Sequence, residues 1–208
     1  MTHDHSRWGD KLWRYYPVNY DPNHYHSLVK WWLDLVPKYG DKIMEIGPYS
    51  GLALIWLKQN FPEKDIVGVE INPIVKHYIE TRLYFFQLLG KVPIYQHDAM
   101  DLSAFPDKSK DCIFSGGLYE HFPEEERIKM IKEHLRVAKY VICEVPIAEV
   151  LVEGTGYGDE IPLTVSEWEK FMFDNFKVVK LDSYYDIYEY HAHNGSVAFV
   201  LEGVKDGR

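Results

Sequence analysis

An α/β fold is expected, built on an open and mostly parallel sheet with helices on both faces. Between residues 42 and 145, short apolar runs alternate with stretches that carry helical spacing. Such alternation produces parallel strands joined by right-handed helical crossovers. Near the C terminus two strand-like runs, 177–181 and 196–202, have no convincing helix between them, so one edge should close with an antiparallel hairpin. The third sign is local. Ile43-Met44-Glu45-Ile46-Gly47-Pro48-Tyr49-Ser50-Gly51 reads as a buried strand ending in a glycine-punctuated turn that opens onto a helix. Turns of this kind bind nucleotide-like cofactors, because backbone N–H groups can approach the ligand closely.

Along the chain, residues 1–20 are polar and aromatic, with a short helix expected at Asp10–Tyr16 and a stop at Pro17. Pro22 and Asn23 mark a turn. His24–Leu35 then places Leu28, Trp31, Trp32 and Leu35 at i, i+3, i+4 and i+7, an amphipathic helix ended by Pro37 and Gly40. The first strand is Lys42–Ile46. A helix at Gly51–Asn60 is stopped by Phe61-Pro62, and Asp65–Val69 is the second strand. Asn72 as N-cap and Pro73 at the first helical position start a helix that should run to Leu89, with Gly90 as its stop. Val92–Gln96 and Lys110–Ser115 are the third and fourth strands. Glu124–Arg136 is a charged amphipathic helix with Ile128, Ile131 and Leu135 inward, and Tyr140–Val145 is the fifth strand. The glycine-rich loop Gly154–Asp159 precedes a helix over Glu167–Asp174, capped by Ser166, with Trp168, Phe171 and Met172 on one face.

Bulk composition narrows the partners. At 208 residues and 46% hydrophobic content, one domain with a full core is expected. A net charge of −9 disfavours nucleic acid as a partner. Cys112 and Cys143 lie in apolar runs and read as buried, reduced thiols of a cytoplasmic protein. No apolar run approaches the roughly 18 residues of a membrane span, and no membrane association is expected. Aromatic residues crowd the first 32 positions, so residues 1–40 read as a helical segment that acts as lid and packing element, with Tyr15, Tyr16 and Tyr20 as pocket candidates. Three His-x-His pairs (His3/His5, His24/His26, His191/His193) are scattered, and no metal site is expected from them.

About twenty residues after the glycine turn, Ile66-Val67-Gly68-Val69 ends in Glu70. A carboxylate there can accept two hydrogen bonds from a ribose diol, so turn and acid together indicate an adenosyl cofactor. At this point the sequence resembles the class I S-adenosylmethionine-dependent methyltransferases over Lys42–Val204. Glu45-Ile46-Gly47-Pro48-Tyr49-Ser50-Gly51 is similar to the family's first motif, an acid followed by Gly-x-Gly-x-Gly. Val69-Glu70-Ile71 is similar to its acidic end of strand two, and His97-Asp98-Ala99 to its adenine-contacting acid. Gly117-Leu118-Tyr119-Glu120-His121-Phe122 resembles the Leu-Glu-His-Phe element found in many small-molecule methyltransferases.

The resemblance implies a three-layer Rossmann-like methyltransferase fold with a seven-stranded sheet, over residues 41–204. It implies S-adenosyl-L-methionine as cofactor, held by Glu45, Gly47, Pro48, Tyr49, Gly51, Glu70, Ile71, Asp98, Ala99 and Gly117. Glu45 would reach the amino group, Glu70 the ribose hydroxyls, Ile71 the adenine face and Asp98 the adenine amino group. His121 and Tyr119 fall on the acceptor side, His121 as a candidate general base. Tyr49 stands where the family has its middle glycine; a tyrosine fits there with a negative φ and a ring that points away or lies over the cofactor, and otherwise the loop is remodelled. The activity implied is direct in-line methyl transfer to a small-molecule acceptor, with a homodimer compatible. Two alternatives stay open: a non-catalytic cofactor-binding module on this fold, and an NAD(P)-dependent oxidoreductase. The latter wants Gly-x-Gly-x-x-Gly, which Gly47-x-x-x-Gly51 fits poorly.

Overall fold

The computed structural model describes residues 17–149, 160–161, 163–185 and 195–203. The helix expected at Asp10–Tyr16, the pairs His3/His5 and His191/His193, and the Gly154–Asp159 loop lie outside them. The chain forms two compact units, residues 1–102 and 103–208.

In the first unit, α1 (Pro22–Leu33) precedes β1 (Lys42–Ile46), α2 (Leu52–Asn60), β2 (Asp65–Val69), α3 (Pro73–Phe85) and β3 (Ile94–Tyr95). Strand order is β3-β2-β1, all parallel, with Glu45 opposite Gly68. Ile43–Ile46 and Ile66–Val69 are buried without alternation, as parallel strands covered on both faces should be. Gly68 is where α2 comes close: a Cβ there would lie 2.9 Å from Leu54 and from Ile94.

The second unit holds β4 (Lys110–Gly116), α4 (Glu124–Val137), β5 (Ala138–Pro146), α5 (Val165–Asn175), β6 (Val178–Tyr185) and β7 (Gly195–Glu202). Its order is β4-β5-β7-β6. β4 and β5 are parallel, whereas β7 is antiparallel to both β5 and β6, which gives the expected C-terminal hairpin with β6 at the edge. Seven strands thus make up the mostly parallel sheet, and all seven were legible as strands.

Several details differ from expectation, each for a local reason. α1 starts at Pro22, not His24, because Asp21 caps it: its Oδ1 accepts from Asn23 N at 2.9 Å and proline occupies the first helical position. Its buried stripe is also shifted. Leu28 is 54% exposed, and Trp32 and Leu33 carry the packing. α3 ends at Phe85 rather than Leu89, since Gln87 adopts a left-handed φ of 58° and breaks the ladder before Gly90 is reached. On α4 the buried face contains Arg127, Met130, Ile131, His134 and Val137, while Ile128 and Leu135 are half-buried. The cap of α5 is Thr164 rather than Ser166, in a capping box with Glu167. β3 is reduced to two residues.

Candidate functional site

Beyond β1 the chain turns through Gly47 to Gly51. Gly47, Tyr49 and Gly51 have φ of 64°, 39° and 71°, so all three glycine positions of the motif take left-handed backbone. The negative φ that would let a tyrosine fit here is not found: Tyr49 takes left-handed backbone, at a cost of roughly 1–2 kcal/mol. A hydrogen bond from Gly51 N to Pro48 O at 2.6 Å closes the turn, and Gly47 N donates to Val69 O at 2.9 Å, tying it to the end of β2. Gly51 has no room for a side chain. A Cβ there would come within 2.8 Å of Ile79 on α3.

A residue that sequence reading missed holds this turn from beneath. Arg82 of α3 is fully buried, and its guanidinium donates to Ser50 O, to Tyr78 Oη, and to Pro17 O at 2.8 Å. It also stacks over the Tyr78 ring, 4.7 Å from the centroid. A helix-period pattern treats arginine as a solvent-facing residue, so no signal in the sequence marked it.

Two buried carboxylates stand near the carboxyl ends of β1 and β2. Glu45 is 5% exposed, and among the described residues its Oε2 meets no hydrogen-bond donor. Burial pushes its carboxyl up to about 8, with the nearby Glu70 charge adding to the shift. Glu70 is 8% exposed and is raised to about 7, again by burial, with the backbone amides of Asn72 and Ile71 pulling the other way. Asn72 N reaches Glu70 Oε1 at 2.8 Å, so the start of α3 orients that carboxylate. Ile71 beside it is 37% exposed. Asp98, past β3, is exposed and uses Oδ1 to accept from Met100 N at 2.8 Å; Ala99 is half-buried. The structure thus gathers Glu45, the Gly47–Gly51 turn, Glu70 and Ile71 at the carboxyl ends of β1 and β2. Asp98 and Ala99 follow the end of β3.

The remaining predicted residues belong to the second unit, after β4. Gly117 has φ 66° and donates to Glu144 O at 3.0 Å. Tyr119, Glu120 and His121 form a buried single turn of 3-10 helix. Tyr119 is a core side chain: it is fully buried, and its hydroxyl pairs with His134 Nδ1 at 2.7 Å. His121 is 8% exposed, with Nε2 3.7 Å from Glu120 Oε1. Arg127 clamps the turn. Its Nε donates to Tyr119 O at 2.9 Å, one terminal nitrogen bonds Ile161 O at 3.0 Å, and the guanidinium lies over Trp168. As for the histidine pairs, His26 stacks on Trp56 and its Nε2 meets Asp34 Oδ1 at 2.7 Å, away from His24.

Residues 43–140 match the family model described as a methyltransferase domain. Thiopurine S-methyltransferase of Vibrio cholerae serotype O1 is 25% identical over 146 residues, covering 65% of this chain and 63% of that protein. A chain from the complex between the Haloferax volcanii Trm112 methyltransferase activator and a methyltransferase shares the fold, with a TM-score of 0.69 at 16% identity over 94% of this chain and 97% of that one. So does geranyl diphosphate C-methyltransferase of Streptomyces coelicolor A3(2), crystallised with S-adenosyl-L-homocysteine, at a TM-score of 0.67 and 10% identity over 86% of this chain and 80% of that one. Residues 43–140 are thus similar to a methyltransferase domain, and the strand order within each unit accords with the Rossmann-like fold of these structures.

Proposed function

We propose that this chain transfers a methyl group from S-adenosyl-L-methionine to a small-molecule acceptor. One observation carries the reading: Glu45, buried beside a turn of left-handed backbone, has a carboxylate oxygen with no donor among the described residues. A buried acceptor left without a donor costs about 1–3 kcal/mol, more when charged, and a ligand's ammonium group removes that penalty. In this reading Glu45 binds the amino group of the cofactor and Glu70 its ribose hydroxyls. The Gly47–Gly51 backbone runs along its methionine part, Ile71 covers the adenine and Asp98 accepts from the adenine amino group. When bound, the cofactor supplies a methyl group already made electrophilic by its sulfonium. The chain's own work is to bind, orient and exclude water, which is where most of the rate gain arises. His121 is the candidate to take a proton from the acceptor. Tyr119 stays on the acceptor side in this reading, its buried hydroxyl paired with His134 Nδ1. A cytoplasmic setting fits the two buried free thiols, and among the described residues no helix is long and apolar enough to cross a membrane.

Calorimetric titration with S-adenosylmethionine, its demethylated product and NAD tests this reading. The first two should bind and NAD should not; absence of binding by both would overturn the proposal. Glu70→Gln should weaken cofactor binding about 10- to 100-fold, the loss of charge-assisted hydrogen bonds worth about 1.5–3 kcal/mol. Near-normal affinity would remove Glu70 from the ribose.

A further inference from the structure

The second unit contains another buried carboxylate with an unsatisfied oxygen. Glu120 is 3% exposed, and among the described residues its Oε2 meets no hydrogen-bond donor. Its backbone is fixed from outside: Ile161 N donates to Glu120 O at 2.7 Å, and Arg127 donates to the carbonyls of Tyr119, the preceding residue, and of Ile161. The side chain lies over Gly117, the first residue past β4. A Cβ on Gly117 would stand 3.1 Å from Glu120 Oε1, so the glycine leaves space for the carboxylate as well as adopting φ 66°. Burial pushes this carboxyl well above its usual range; Glu144 and Glu160 add to the effect and Arg127 opposes it. Isolating a carboxylate in this way is expensive unless a partner arrives with a donor. The location is informative too, since open α/β sheets bind ligands beyond the carboxyl ends of their strands.

The geometry points to Glu120 as the group that recognises the methyl acceptor, and to an acceptor that presents an amine. This rests on the methyltransferase reading above. A protonated amine supplies the charged N–H donor that the orphaned oxygen lacks, and passing that proton to the carboxylate frees the nitrogen lone pair for the methyl group. A neutral alcohol or thiol forms no such charge-assisted bond. His121, 3.7 Å from the other carboxylate oxygen, borders the same group.

The test uses three probes on one carbon frame: benzylamine, benzyl alcohol and benzyl mercaptan. Each is titrated by calorimetry into the full chain saturated with S-adenosyl-L-homocysteine, for the native sequence, Glu120→Gln and Glu120→Asp. The amine should bind at least tenfold tighter than the alcohol or the thiol. Glu120→Gln should abolish that preference, Glu120→Asp should keep part of it, and both variants should bind the cofactor product within about threefold of the native affinity. Equal binding of the three probes, or an amine preference that survives Glu120→Gln, overturns the assignment. Failure of the native chain to bind the cofactor product would instead overturn the methyltransferase reading. Cofactor affinity in each variant also reports whether it is folded.

Discussion

Glu45 and Glu70 show how one residue's environment sets its chemistry. Both carboxyls are raised by burial, Glu45 to about 8 and Glu70 to about 7, from an ordinary 4.5. Between those values the folded chain holds protons that the unfolded chain has released. Stability conferred by these groups is therefore greatest at the acidic end of that window and falls as pH rises through about 8. A bound cation favours the ionised form, so cofactor affinity should change in the opposite sense, tightening from about pH 6 to about pH 8.5 with proton release. Thermal melts of the ligand-free protein across that range should show a falling midpoint, with a flatter profile in Glu45→Gln. A midpoint that rises with pH in the native chain would contradict the assignment. The sequence places one acid before the glycine turn and the other at the end of the second strand. Their raised ionisation was not legible, because it depends on what surrounds them after folding.

Among the elements, α3 illustrates the limits of local signals. Asn72-Pro73 marked its start correctly, since cap and first turn are contiguous in sequence: Asn72 Oδ1 accepts from Ile74 N at 2.9 Å and Val75 N at 3.3 Å. Its end was misplaced at Gly90. Gln87 N donates to Tyr84 O and Leu88 N to Leu83 O, the paired bonds of a Schellman ending with glutamine at the left-handed position. Burial of Leu88 against the core, at 8% exposure, is what draws the chain off the helix axis there. Gln87→Gly should raise unfolding free energy by about 1 kcal/mol by relieving left-handed strain, measured by urea denaturation. Unchanged or lower stability would show that the position is unstrained. α5 repeats the lesson. Ser166 and Thr164 are both plausible caps by residue type, and the reciprocal bond with Glu167 selected Thr164.

At the level of the whole molecule, polar residues inside the core connect distant segments. Arg82 joins the glycine turn at Ser50 to the incoming chain at Pro17, 65 residues away in sequence. Arg127 ties the turn after β4 to Ile161 and Trp168. Arg82→Met should destabilise the fold by several kcal/mol, because buried carbonyls lose their donors. It should also weaken cofactor binding at least tenfold through the displaced Ser50 backbone. Arg82→Lys should recover part of both, since an ammonium can bond to only some of the groups a guanidinium fork reaches. Calorimetry and urea melts measure the two effects; an Arg82→Met protein with native cofactor affinity would limit Arg82 to a purely structural role.

Strand–helix alternation, the glycine turn, its paired acids and the C-terminal hairpin could all be read from the linear chain. Each depends on residues adjacent or periodic in sequence, where backbone preference and apolar spacing act locally. Folding added what local rules cannot contain. Tyr49 is held in left-handed backbone, Glu45 and Glu120 keep oxygens without donors among the described residues, and Arg82, Arg127 and His134 are core residues. The physical reason is that burial and hydrogen bonding of a polar group depend on segments distant in sequence, as Pro17 is from Arg82 and Ile161 from Arg127, and these meet only in three dimensions.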